Sequence, residues 1–195
     1  MSQADIDAFV ASVRDGELPS EGVTAAVVTR GIPVNGGHSG IYDTTALHFS
    51  MFSKRSELVV ALLAAGADPN VSNTNGVTSV WCAAMDSTAD ILQLVIDGGG
   101  NANKPCNNGQ TPLIALVRYN KGDAAVRLKV LLACPDLDLD AQFLGKTAEE
   151  WAAYMSHVEL ASAIAEEQAK RERWSALRAS WIVATIASTV ALSII

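Results

Sequence analysis

Apolar residues along this chain come in short blocks, and the blocks recur at a fixed interval. Ala46-Leu47, Val80-Trp81 and Leu113-Ile114 each follow a threonine or lie one residue beyond it, and Thr45, Thr78 and Thr111 stand 33 residues apart. Behind the first two threonines come longer apolar runs, Leu58 to Ala64 and Ile91 to Ile96. Each of these ends in a glycine step, Gly66-Ala67-Asp68-Pro69-Asn70 and Gly99-Gly100-Asn101-Ala102-Asn103. Runs of this length predict helices. A threonine just before each short run supplies a hydroxyl for an otherwise orphaned backbone N–H, so Thr45, Thr78, Thr111 and the later Thr147 are expected N-caps. Pro112 suits the first helical position, where its missing N–H costs nothing. Gly66 and Gly99 tolerate the left-handed conformation that ends a helix, and Asn75-Gly76 and Asn108-Gly109 are tight-turn dipeptides. Each unit therefore predicts a turn, a short helix, a second turn, a longer helix and a hairpin tip, giving an all-α fold class. One such unit cannot bury its apolar face alone, so neighbours must stack into a solenoid.

The period and the residues Thr111-Pro112-Leu113, Thr45-Ala46-Leu47-His48 and Leu62-Leu63-Ala64-Ala65-Gly66-Ala67-Asp68-Pro69-Asn70 resemble the ankyrin repeat. The resemblance covers roughly Asp5 to Glu167. It implies an ankyrin-repeat solenoid with a degenerate capping repeat over 1–39 and repeats over 40–72, 73–105 and 106–141. The third of these carries about three extra residues near Asn120 to Ala125, because Thr147 follows Thr111 by 36 residues. A C-terminal repeat is expected over 142–169, and 170–195 would be a basic stretch followed by a hydrophobic helix.

Composition narrows the chemistry. The chain has 195 residues, and 49% hydrophobic content with only 6% aromatic residues predicts a largely aliphatic core. Its net charge is −7, and the basic run Lys170, Arg171, Arg173 and Arg178 makes the remainder more acidic still. Such a field repels phosphate backbones, so no nucleic-acid partner is expected. Cys82, Cys106 and Cys134 form no metal-binding spacing and cannot all pair, which fits a reducing, intracellular compartment. Met1 to Val10 carries Asp5 and Asp7 and resembles neither a secretory signal nor a transit peptide. No nucleophile, base and orienting carboxylate assemble at recognisable spacing, so no enzyme, catalytic residue, metal or cofactor is expected. The ankyrin resemblance implies that His48 closes a hydrogen-bond network at its helix start. His38 sits in a glycine-rich turn, and His157 in the turn between the last two helices.

The C-terminus differs in kind. From Ala179 to Ile195 there are 17 uncharged residues. As a helix at about 1.5 Å per residue they would reach about 25 Å, against a hydrocarbon core of about 30 Å. The segment resembles the anchor of tail-anchored proteins, with no polar residues after Ile195. Trp174 and Trp181 would sit at the interface, the basic run would keep the repeats on the cytoplasmic or equivalent side, and Ser180, Ala184 and Ser188 form a stripe for close helix packing. The alternative use is docking on the last repeat or on a soluble partner.

The ankyrin resemblance implies a protein partner on the hairpin tips and on the exposed side of each first helix. By register these positions include Tyr42, Phe52, Met85, Arg118, Tyr119 and Tyr154, with Tyr42, Phe52, Met85, Tyr119 and Tyr154 as the expected anchors. Each is also sized to pack against a neighbouring repeat. The functional expectation is a non-catalytic scaffold, tethered to a membrane by its last helix. A structural accessory subunit of a membrane complex and a soluble adaptor that recruits a substrate to an enzyme are the alternatives.

Overall fold

The computed structural model describes residues 1–192, with side chains described through Ile182. Paired helices follow one another along the chain: α1 (Gln3–Arg14) with α2 (Ser20–Thr24), α3 (Ala46–Ser53) with α4 (Ser56–Ala64), α5 (Ser79–Asp86) with α6 (Ala89–Asp97), α7 (Pro112–Tyr119) with α8 (Ala124–Leu132), and α9 (Ala148–Tyr154) with α10 (Val158–Leu192). A π-helical turn, Ala25–Thr29, extends α2. The first helices of successive pairs pack in one row, α1 on α3 on α5 on α7 on α9. The second helices make a parallel row, α2 on α4 on α6 on α8 on α10.

The seam between the rows is aliphatic and continuous. Leu47, Met51, Leu58, Leu62, Ile91, Leu92, Leu113, Ile114, Leu116 and Leu128 are all fully buried in one cluster. Phe9, Val10 and Val13 close it at the start, and Leu160 and Ile164 at the end. At about 25 cal/mol per Å² of apolar surface, this shared burial is what no single pair achieves.

Local chemistry sets the frame as the sequence predicts. Thr45, Thr78, Thr111 and Thr147 all accept a backbone N–H three residues on. Gly66 and Gly99 have φ of +89° and +90°, a conformation that a side chain would strain. The N-terminal cap opens with a capping box between Ser2 and Asp5. His38, expected in a turn, instead lies on β1 (Gly37–His38), which pairs antiparallel with β2 (Thr44–Thr45). Asp7 of α1 fixes this hairpin: its carboxylate accepts from the Ser39 hydroxyl at 2.6 Å and from the Ser39 N–H at 2.9 Å, and these bonds hold its pKa down to about 2.

The boundary placed at 170 does not interrupt the chain. The second helix of the last pair and the tail form one helix, α10, because no glycine or proline intervenes and Glu167 bridges the junction to Lys170 and Arg171. Nor is Arg171 a free base of a juxtamembrane cluster. Its guanidinium donates to the carbonyls of Leu132, Cys134 and Leu137 at 3.1, 3.0 and 2.7 Å, capping the C-terminal end of α8. Among the described residues no helix is long and apolar enough to cross a membrane. That gives the tail-anchor expectation no support. Ser180 is exposed, and Ala184 and Ser188 lie outside the described side chains.

Candidate partner-binding face

Two rows of side chains run along the side formed by the tips and the first helices. At the tips, Tyr42, Asn75, Asn108 and Leu144 occupy equivalent positions, with Tyr42 and Leu144 in the left-handed region at φ of 54° and 50°. Bulky residues adopt that conformation rarely, and here it turns both side chains outward, away from the seam. The tips are joined by backbone bonds, Thr74 N–H to the Tyr42 carbonyl at 2.8 Å and Asn107 N–H to the Asn75 carbonyl at 2.9 Å. At the last turn of the first helices, seven residues after each capping threonine, stand Phe52, Met85, Arg118 and Tyr154.

Exposure separates these candidates. Tyr42 is 65% exposed, Phe52 44%, Tyr119 45% and Tyr154 72%, large groups that the fold leaves open to solvent. Met85 is half-buried and packs against the core. Tyr119 stands edge-on to Trp81 at 5.9 Å, and Tyr154 edge-on to Trp151 at 5.7 Å, so neither ring is loose. Trp174 and Trp181 are exposed on α10 beyond the last repeat.

The rigidity of this face comes from bonds that cross between repeats. His48 Nε2–H donates to the Val77 carbonyl at 2.9 Å, which leaves Nδ1 to accept from the Thr45 hydroxyl at 2.8 Å. Trp81, in the equivalent place one repeat later, donates through Nε1 to the Gln110 carbonyl at 3.2 Å. Imidazole and indole thus do the same work by presenting one N–H to a carbonyl 29 residues on. Behind the tips, Asn35, Asn70 and Asn103 form a ladder. Each amide donates to a carbonyl of the next loop, Gly66, Gly99 and Asp136 respectively, and each oxygen accepts a backbone N–H from that loop, of Asp68, Asn101 and Asp138.

One structural residue escapes the sequence analysis. Arg127 is only 1% exposed, yet its guanidinium finds four acceptors. It donates to the carbonyls of Ala84 and Met85 at 3.1 and 3.4 Å, and to those of Ser87 and Lys121. The first three belong to the end of α5, and Lys121 to the three-residue insertion. The signal is present in the chain: counting 36 residues back, Arg127 stands where Ile91 and Leu58 fill the core. An arginine at a core position beside an insertion means that loose carbonyls need a donor.

Burial pushes the Cys82 thiol up to about 12, and burial raises Cys134 also, with Arg171 opposing it. Among the described residues no group of His, Cys, Asp and Glu could hold a metal ion.

Paired helices stacked in two rows, joined by bonded tips and open along one face, define a repeat scaffold built for recognition. A family model described as ankyrin repeats, three copies, matches residues 47–128 and again 80–173, and the chain belongs to that family. Ankyrin repeats are protein-interaction scaffolds, typically without catalysis of their own. The chain is 30% identical over 135 residues to the Neurogenic locus notch homolog protein 1 of Homo sapiens and 29% to that of Mus musculus. These matches cover 66% of this chain but only 5% of those proteins. It is also 30% identical over 59 residues to an ankyrin repeat-containing protein of Schizosaccharomyces pombe, covering 30% of this chain and 28% of that one.

Proposed function

We propose that the chain takes a protein partner on the face formed by its tips and first helices, with Tyr42, Phe52, Tyr119 and Tyr154 as anchors. The observation that carries this is their exposure: four large side chains are left open to solvent at the tip or first-helix end of the first, third and last repeats after the N-terminal cap, on a backbone cross-linked from loop to loop. Large groups held open there contribute little to folding, but tyrosine is enriched among interface hot spots. A preorganised surface also loses little entropy on binding, so a few anchors suffice.

Affinity purification in mild detergent, with mass-spectrometric identification, tests the reading. The triple variant Tyr42→Ala, Phe52→Ala, Tyr119→Ala is expected to lower partner capture by about tenfold or more, with the melting transition within a few degrees of wild type. Unchanged capture would place the partner elsewhere, and a collapse of melting would mark these groups as core. Recovery at fixed stoichiometry with a large membrane assembly would favour an accessory subunit over a transient adaptor.

A second observation bears on location. Trp174, Leu177, Trp181 and Ile182 are exposed along the part of α10 that runs past the last repeat. This supports a tether to a membrane or membrane-protein surface through the C-terminal helix, with the repeats on the cytoplasmic or equivalent side. Deleting 181–195 is expected to release the chain from carbonate-washed membranes. A monodisperse full-length chain without detergent would contradict it.

A further inference from the structure

We propose that Arg118 is the charge-reading centre of this face and takes the carboxylate of an Asp or Glu side chain on the protein partner. The proposal rests on the tips and first helices being the binding surface, and adds the chemistry that they select.

Arg118 lies in the last turn of α7, at the position that Phe52 and Tyr154 hold in their own repeats. Its guanidinium carbon lies over the Phe143 ring at 4.7 Å and over the Trp151 ring at 4.8 Å. Those rings are 6.0 Å apart and tilted by 33°, and the Trp151 indole is pinned by its N–H to the Phe143 carbonyl at 3.0 Å. The floor under the cation is therefore fixed, and ring contact of this kind supplies no oxygen acceptor to the guanidinium N–H groups.

None of those donors finds a partner in the protein among the described residues. Nε is buried without an acceptor, and Arg118 enters no ion pair. Half-buried arginines elsewhere in the chain behave otherwise. Arg55 donates to the Gly16 and Leu18 carbonyls, Arg171 to three carbonyls and Glu167, and the buried Arg127 to four carbonyls. A held cation with its donors unspent is complementary to a planar anion that accepts two parallel N–H bonds. Lys146 adds a second positive charge to this cluster of rings, 5.8 Å from the centre of the Tyr154 ring, which stands edge-on to Trp151. A single carboxylate fits better than a phosphate chain, because the net charge of −7 repels a polyanion. One local contact is shielded from that charge beyond about 8 Å at physiological salt.

A peptide library displayed on phage and panned against the full-length chain supplies the probe. Recovered peptides are expected to share an Asp or Glu, and changing it to Asn or Gln should weaken binding by about tenfold or more. Arg118→Met, which keeps an unbranched apolar stem but removes the guanidinium, should lose the same factor and no longer distinguish acid from amide. Arg118→Lys should recover only part of it. In the wild-type chain, needing no variant, the acidic peptide should shift the Arg118 Nε–H resonance and its amide version should not. Peptides that need Tyr119 and Tyr154 but ignore the acid would overturn the carboxylate and leave the binding face standing. Recovery of no peptide would overturn both, and a single-stranded DNA oligomer displacing the peptide at equal concentration would overturn the choice of a protein acid.

Discussion

His48 shows how one side chain couples two repeats and makes their union depend on pH. Burial pulls its pKa below the ordinary histidine value of 6.5, with the bond to the Val77 carbonyl opposing. The folded chain therefore keeps the ring neutral, while the unfolded chain takes up a proton as pH falls through about 6.5. Stability from this residue is complete above that value and lost below it, with a slope of at most about 1.4 kcal/mol per pH unit. Chemical denaturation between pH 8 and pH 5 should show this loss in the wild type and a flatter profile in His48→Gln. An equal slope in both would remove the buried neutral imidazole from the explanation. The role of His48 in closing a network at its helix start was implied by the ankyrin resemblance of Thr45-Ala46-Leu47-His48. The carbonyl that receives its other nitrogen was not, because it lies a repeat away.

At the scale of elements, the insertion between α7 and α8 shows what a clamp costs and contributes. The C-terminal end of α5 and the Lys121 carbonyl of the insertion both lack helical partners, and Arg127 satisfies them together. Arg127→Met keeps apolar bulk but removes the donors, and is expected to destabilise the fold by about 3 kcal/mol. Equilibrium denaturation measures this, and a change below about 0.5 kcal/mol, the size of an ordinary surface substitution, would show that the carbonyls find other donors. The position and length of the insertion were readable from the 36-residue step between Thr111 and Thr147, since caps mark each unit independently of what separates them. The continuity of α10 was less readable. A change from basic to apolar composition at 170 marks a change of environment, but a helix continues wherever its backbone bonds do.

Across the whole molecule, stacking was legible because periodic caps and glycines fix local geometry, and the same geometry repeated leaves only a solenoid. The partner face was legible as a register but not as a set of exposures. Phe52 and Met85 share a position relative to their caps, yet Phe52 opens to solvent and Met85 packs inward, a difference set by neighbouring repeats. Arg118 gained its meaning only when Phe143 and Trp151 came beneath it from the next repeat. The most direct measurement of the binding face is amide hydrogen exchange of the chain with and without its purified partner. Protection is expected at the tips, residues 42–44, 74–76, 107–109 and 143–146, and at the ends of α3, α7 and α9. Protection confined to α4, α6 and α8, with the tips unchanged, would contradict it.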